Sequence, residues 1–137
     1  MITNTDITIY NVKDNKVTRL PEYHRTQISG VHWYTDQKTQ VDDKGLHSAD
    51  VYKIRIPADA DTGGRSYVSP AEYVAADDAS VFWTIQNGDI FVKGAVDDEI
   101  NKASDILAKY PDCSGRVISW SDNRLGSLPH WRIGGVN

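Results

Sequence analysis

The sequence predicts a small, mainly β domain, either a β-barrel or a sandwich of six to eight strands with one or two short helices; an open α+β sheet is the alternative. Apolar and polar residues alternate over several short runs, which is the pattern of half-buried strands. Gly, Asn, Asp or Pro separates these runs. The chain has 137 residues, 39% of them hydrophobic and 25% charged. This length and composition suit one domain with its own core, so residues 1–137 are interpreted as a single domain.

Two strands are expected in the first quarter of the chain. Residues 7–10 alternate, which places Ile7 and Ile9 on one face. A longer extended stretch covers residues 23–34, and Gly30 within it is a candidate bulge or bend.

The middle of the chain reads as two exposed loops with a clear strand between them. Residues 35–49 are rich in polar turn formers, so they predict a mobile loop or a long hairpin tip. Residues 58–69 predict a second mobile loop. Between the loops, residues 51–56 alternate apolar and polar side chains, and Pro57 ends the predicted strand.

Two short helices are expected. Ser69 is a candidate N-cap, with Pro70 at the first helical position and Glu72 three residues after the cap, which is the pattern of a capping box. Between residues 98 and 110, apolar residues recur at spacings of three and four, which predicts a helix that ends before Pro111.

The remaining strands are expected as two pairs. Two β-rich runs, residues 81–86 and 89–93, are joined by Asn-Gly, the preferred two-residue hairpin turn, so they predict a β-hairpin. Near the end of the chain, residues 117–120 and 130–133 flank a turn-rich stretch and predict a last pair of strands, closed by a glycine pair.

Composition argues against several classes of function. The formal net charge is −4 and no cluster of Lys and Arg is present, so specific nucleic-acid binding is not expected. Cys113 is the only cysteine, so no intrachain disulfide can form. The chain lacks a signal-peptide pattern and an apolar run of the ~18 residues that a membrane helix needs, so we expect a cytoplasmic protein without membrane partners.

No residue pattern indicates catalysis, a metal or another cofactor, so the protein is not expected to be an enzyme. His24 and His32 could share a strand face, but eight residues of extended chain separate them by more than about 20 Å, too far for one metal. Asp59 and Asp61 with the following glycine resemble the start of a calcium loop, but no acidic residue stands at its closing position.

Aromatic residues near strand ends are the remaining unusual feature. The chain contains four tryptophans, more than a small core needs. Tryptophan is enriched at protein interfaces, so one or two of them are expected to contact a partner. The candidate interface residues are Trp33, Tyr34, Trp120 and Trp131.

Three blocks carry a resemblance to known proteins: residues 51–57 (VYKIRIP), 82–94 (FWTIQNGDIFVKG) and 119–135, which includes SWSDNR and LPHWRIGG. Together they resemble a family of small proteins from tailed phages and prophages of Firmicutes, encoded among the structural genes between capsid and tail. The first two blocks are also similar to head-completion proteins, also called stoppers or minor capsid proteins, which are small ring-forming β-barrels under the portal.

The resemblance implies a virion protein of the neck, a head–tail connector that assembles in the host cytoplasm as a homo-oligomeric ring between portal and tail proteins. Its two loops, residues 35–49 and 58–69, would contact neighbours or line the DNA channel. The candidate residues for these contacts are Asp36, Asp42, Asp43, Asp59 and Asp61.

Two departures from the stopper pattern keep other functions open. The tryptophan-rich block near the end of the chain and the helix expected between residues 98 and 110 are not part of that pattern. A tail-completion protein is one alternative. A small carbohydrate- or protein-binding accessory module is the other, and it predicts coplanar exposed aromatic rings beside a polar cleft.

Overall fold

A computed structural model describes residues 3–15, 17–42, 45–76 and 79–137, with the backbone alone for residues 36–42 and 45–50. Its helices are α1 (Pro70–Ala75) and α2 (Ser104–Leu107), with a single 3₁₀ turn over Ala79–Val81. Its strands are β1 (Thr5–Asp14), β2 (Pro21–Asp42), β3 (Gly45–Pro57), β4 (Ser66–Tyr67), β5 (Phe82–Trp83), β6 (Ile90–Lys93), β7 (Ser114–Asp122) and β8 (His130–Val136). The mainly β fold expected from the sequence is confirmed.

Six strands form a closed antiparallel barrel in the order β1-β2-β3-β8-β7-β6. The barrel closes because β1 pairs with β2 on one side and with β6 on the other. The last strand pair is also as expected, since β7 pairs with β8 from Arg116↔Val136 to Asp122↔Trp131. Strands β4 and β5 form a separate two-stranded parallel sheet.

Two apolar clusters lie on opposite faces of the barrel wall. Strand β6 shows the division, because successive side chains of a strand point to opposite faces. Phe91 lies in the barrel interior, where its ring packs 5.5 Å from that of Trp33. Ile90 and Val92 lie in the second cluster, which residues 96–113 cover from outside through Ile106 and its neighbours. All four of these β6 and α2 side chains are fully buried.

Gly30 is a bulge, as expected. The register of β1 against β2 shifts from Ile7↔Ile28 to Thr5↔Val31, so β2 contains one extra residue there. Gly30 has φ +82, which glycine adopts at low cost. Beyond the bulge the side chain of Asn4 continues the ladder, because its amide both donates to and accepts from the backbone of Trp33 at 2.9 Å.

The prediction of a β-hairpin over residues 81–93 is wrong. The chain does turn at Asn-Gly, and Gly88 has φ +96, but β5 pairs with β4 and not with β6. Both edges of β6 are occupied, by β1 and β7. The backbone of Thr84 pairs instead with the side chain of Asn11, donating to Oδ1 at 3.2 Å and accepting from Nδ2 at 2.7 Å.

The helix expected between residues 98 and 110 is shorter than the apolar spacing indicated. Helix α2 has four residues. The Tyr10 hydroxyl donates to the Asp98 carbonyl at 2.6 Å, and the Asp105 carboxylate accepts from the backbone of Asn101 at 3.1 Å. These contacts keep residues 98–103 out of the helix. Ile100 and Ala103 nevertheless pack in the second cluster.

Helix α1 begins as the sequence predicts. The Ser69 hydroxyl accepts a hydrogen bond from the Glu72 backbone at 3.3 Å, and Pro70 occupies the first helical position. The helix carries the buried Tyr73, whose ring meets that of His24 edge-on at 6.4 Å.

Candidate functional site

The first candidate site is a two-stranded ribbon that extends from the barrel. Residues 36–42 of β2 pair with residues 45–51 of β3 in seven successive pairs, from Asp36↔Val51 to Asp42↔Gly45. At a rise of about 3.4 Å per residue, this ribbon is about 20 Å long. Of the two structures considered for residues 35–49, the hairpin is therefore the one present. The expectation of a mobile loop is corrected for residues 36–42 and 45–49, because their backbones pair as regular strands.

The ribbon strands lose their outer partners where they leave the barrel. Strand β2 pairs with β1 only as far as Val31, and β3 pairs with β8 only from Tyr52 onward. Within the described residues, the outer edges of the ribbon have no partner strand. An exposed strand edge presents backbone N–H and C=O groups that can pair with another chain.

The five candidate aspartates are in different settings. The backbones of Asp36 and Asp42 belong to the ribbon, and Asp43 lies outside the described residues. Asp59 is exposed in the turn after β3. Asp61 bridges to Ser29 through its backbone and accepts from the Gly63 backbone at 2.9 Å through its carboxylate, so that carboxylate is used within its own turn. The second expected loop, residues 58–69, also contains the short strand β4.

Two of the four candidate interface aromatics are core residues. Trp33 is 7% exposed and Trp131 is 5% exposed, and both lie in the barrel cluster. Their expected interface role is corrected, because strand register turns both side chains inward. Trp120 is half-buried and packs against the same cluster. Tyr34 is half-buried beneath the Arg55 guanidinium, which lies 5.7 Å from its ring centroid.

A cationic cap covers the aromatic end of the barrel, which the sequence reasoning missed. The Arg124 guanidinium lies 4.9 Å from the Tyr67 ring and 5.1 Å from the Trp131 ring. Asp122 fixes its position through hydrogen bonds of 2.7 Å and 2.9 Å, and the same contacts lower the pKa of the Asp122 carboxyl. In the same loop Leu125 and Leu128 are exposed apolar side chains.

Asp89 is the centre of a buried polar network between the end of β1 and the start of β6. Its side chain is 1% exposed and accepts four hydrogen bonds. One oxygen accepts from Asn11 Nδ2 at 2.7 Å and the Gln86 backbone at 3.3 Å; the other accepts from the Val12 backbone at 3.1 Å and Gln86 Nε2 at 3.2 Å. Burial outweighs these hydrogen bonds and raises the pKa of Asp89 to about 6. The network joins β1 to the turn before β6.

A pocket of about 750 Å³ opens beside this network and is the second candidate site. Its volume is within the range of small-molecule sites. We call it the basal pocket. Its lining residues are Val12, Lys13, Asp14, Asn15, Arg19, Tyr23, Val74, Gln86, Asn87, Gly88, Asp89, Ala103 and Arg116.

Two strands and one turn bring three cationic side chains to the basal pocket. Lys13 comes from β1, and its ammonium group donates to the Ala76 carbonyl. Arg19 comes from the turn between β1 and β2, and Arg116 from β7. Lys13 and Arg116 are 103 positions apart in the chain, so no local sequence motif contains the three residues of this cluster. Asp89 directly after the Asn-Gly turn was the available signal.

The described residues contain no group of three or more His, Cys, Asp or Glu side chains placed to hold a metal ion. Of the histidines, His24 is half-buried, and burial lowers its pKa. No helix in the described part of the chain is long and apolar enough to cross a membrane.

The comparisons with known proteins give a family and no further relative. Neither the curated proteins nor the solved structures contain a match to this chain. One family model matches residues 2–136, nearly the whole sequence. The chain therefore belongs to DUF6751, a family of unknown function.

Proposed function

We propose that the protein is a phage virion protein of the neck, a head–tail connector or head-completion stopper that forms a ring between portal and tail and works by assembly rather than catalysis. The observation that carries this proposal is the ribbon, a paired strand extension that leaves the barrel and has no outer partner within the described residues. The resemblance of residues 51–57 and 82–94 to stopper proteins supports the same function.

The ribbon supports a role in assembly because pairing with a neighbouring subunit would stabilise it more than any other part of the barrel sheet. A two-stranded hairpin is marginally stable in water when it packs on nothing else. A partner strand would pair with its open backbone groups, a mode of recognition known as β-augmentation. The six barrel strands, in contrast, each have neighbours on both sides. The ribbon is thus the part of the described barrel sheet where pairing can continue into another subunit.

The alternatives differ in what supports them. A tail-completion protein would use the same ribbon in a ring one position further down the particle. A carbohydrate-binding module needs exposed coplanar aromatic rings, but Trp33 and Trp131 are buried and Arg124 covers part of the aromatic cluster. The geometry therefore favours assembly over sugar binding.

The first experiment measures the copy number of the protein in purified phage particles by quantitative mass spectrometry, relative to the portal protein. A ratio near that of one ring is expected. Cross-linking in the same particles then identifies the neighbour, portal for a stopper or tail tube for a tail-completion protein. Absence of the protein from the particles would overturn the proposal.

A ribbon variant tests which element makes the contact. Replacing residues 39–48 with Asn-Gly puts the two-residue turn directly after the pair Lys38↔Ala49, which shortens the ribbon and leaves every strand pair of the barrel in place. We expect a folded protein that is lost from particles. The control replaces residues 125–127 of the exposed β7–β8 loop with Gly-Ser-Gly and should be incorporated normally. Normal incorporation of the shortened ribbon would refute a role for the ribbon in assembly.

A further inference from the structure

The basal pocket has a lining that suits one kind of ligand. Three cationic side chains, Lys13, Arg19 and Arg116, line it together with Tyr23 and three small apolar residues. Tyr23, Val12 and Ala103 are half-buried, and Arg19 and Arg116 are exposed, so the cations are accessible beside a partly apolar wall. This combination contrasts with the chain as a whole, whose net charge is −4.

The acidic groups of the pocket do not cancel these cations. Asp89 is buried, and its four hydrogen-bond donors are all protein groups, so it has no free lone pair directed at an arginine. Asp14 is the other carboxylate in the lining and is exposed. Among the ion pairs between described residues, none involves Lys13, Arg19 or Arg116.

The fold positions the backbones of all three cationic residues and also holds the side chain of Lys13. The Lys13 ammonium donates to the Ala76 carbonyl and lies 5.8 Å from the Tyr73 ring centroid. Arg19 has φ +58 in a turn that closes through its backbone N–H to the Asn15 carbonyl at 2.8 Å. Arg116 is on β7, where Ile90 and Val136 pair with it from both sides. A ligand would therefore meet one ordered donor, Lys13, and two arginines whose backbones are held by a turn and by strand pairing, which limits the entropy lost on binding.

We propose that the basal pocket binds a small organic anion, with its carboxylate or phosphate group held by Lys13, Arg19 and Arg116 and its apolar part against Tyr23, Val12 and Ala103. Guanidinium groups match the geometry of both oxyanions and form their strongest hydrogen bonds with them. The ligand can be a free phosphate monoester or carboxylate, or an acidic side chain of a peptide, because the recognised chemistry is the same. The proposal does not depend on the ribbon or on ring assembly.

The test is a titration of the ¹⁵N-labelled full chain followed by amide chemical shifts. Phenyl phosphate supplies an anion on a planar apolar body, and the capped dipeptide acetyl-Phe-Asp-amide supplies the peptide form. We expect saturable shifts at residues 12–15 and 86–89, with a dissociation constant on the order of 1 mM for a ligand of this size. Tighter binding of phenyl phosphate would identify a free small molecule as the ligand type, and tighter binding of the dipeptide would identify a peptide.

Matched variants decide whether the three cations form the site. Arg19→Gly removes a cation without strain, because glycine favours the positive φ of this position. Arg116→Gln removes the second. Each is expected to weaken binding about fivefold, the loss of one charged donor in a partly exposed site. Arg132→Gln is the control, since Arg132 is an exposed β8 residue paired with Ser121 at the far end of β7.

The inference fails if neither probe gives saturable shifts in this region, or if the Arg132 control weakens binding as much as the pocket variants do. Thermal unfolding of each variant shows whether it is folded before the titration is interpreted.

Discussion

At the scale of single residues, a few polar side chains decide which backbone segments pair. Asn11 gives the Thr84 backbone both a donor and an acceptor, as a neighbouring strand would. Asn4 does the same for Trp33 at the other end of β1. Asp89 then fixes Asn11 by accepting from its amide. The two asparagines replace strand pairs and Asp89 fixes one of them, so substitutions at these three residues should disturb the fold more than their polarity suggests.

Asp89→Asn tests this network. Both oxygens of Asp89 accept from N–H donors, so the amide NH₂ of an asparagine would face a donor in either orientation. The neighbouring donors cannot turn away, because the Asn11 amide also donates to Thr84 and Gln86 Nε2 also donates to the Val12 carbonyl. Leaving buried donors unsatisfied costs roughly 2 kcal/mol, so we expect a lower free energy of unfolding at pH 7 by about that amount. Urea unfolding measures it. Asp59→Asn, at an exposed turn position, is the control and should change stability little.

The same variant also reports the ionisation of Asp89. Its pKa is raised from 3.8 to about 6 in the folded protein, so the folded state binds the proton more tightly than the unfolded state does. The contribution of Asp89 to stability is therefore largest at low pH and is lost as pH rises from about 4 to about 6, by roughly 3 kcal/mol in total. The difference in unfolding free energy between wild type and Asp89→Asn should fall over this range and stay constant above it. A difference that rises with pH would contradict this assignment.

The sequence alone could not show which individual side chains are buried and which line a pocket. Alternation identified strands but not which face of each met the core, and an uncertain register exchanges the two faces. Trp33 and Trp131 consequently appeared as surface candidates although both are buried. The three cations of the basal pocket come from separate elements, so only the folded chain brings them together.

At the scale of elements, strands with clean alternation were predictable, whereas pairings that depend on distant residues were not. The strand at residues 51–56 is present within β3, and its buried face is the one that alternation indicated. The Asn-Gly turn is present too, but its flanking runs do not form a hairpin. The Asn-Gly dipeptide determines where the chain turns. The strands that pair with β6 are determined by β1 and β7, which occupy both of its edges.

Gly135 of β8 packs tightly against the aromatic ring of Phe91 and the backbone of β7. The sequence suggested only that the glycine pair ends the strand, but β8 continues to Val136. Phe91 of β6 lies over Gly135: a Cβ added at Gly135 would come within 2.4 Å of the Phe91 ring and 2.5 Å of the Arg116 carbonyl oxygen. Strands β7 and β8 can approach the aromatic core this closely only without a side chain here.

Gly135→Ala should therefore overpack the barrel. Inserting a methyl group into a filled core typically costs 1–3 kcal/mol, and this site belongs at the upper end because a backbone carbonyl is one of the neighbours. We expect a loss of about 3 kcal/mol in unfolding free energy, measured by denaturant titration. Gly126→Ala is the matched control, since its added Cβ would meet only the Asn123 carbonyl oxygen at an ordinary 3.6 Å. Equal effects at the two glycines would contradict the packing argument.

At the scale of the whole molecule, the chain has two apolar clusters that share one barrel wall. The first fills the barrel, and the second lies outside β6, where residues 96–113 cover it. Sequence alternation could not separate them, because Ile90, Phe91 and Val92 are all buried. The choice between barrel and sandwich also depended on this wall, since closure requires β6 to pair with β1.

This division predicts two levels of stability within one protein. Ile106 belongs to the outer cluster and Ile133 to the barrel cluster, and both are fully buried. Truncating a buried isoleucine to alanine costs about 2–5 kcal/mol in the unit that contains it. In native-state hydrogen exchange, Ile106→Ala should reduce protection mainly in residues 96–113, since local unfolding follows cooperative units. Ile133→Ala should reduce protection in all barrel strands, because loss of the inner core leaves no wall for the outer cluster to cover. If Ile106→Ala reduces protection in β3 and β8 as strongly as in residues 96–113, the two clusters unfold as one unit, and the outer segment is an integral part of the barrel rather than a cover on its wall.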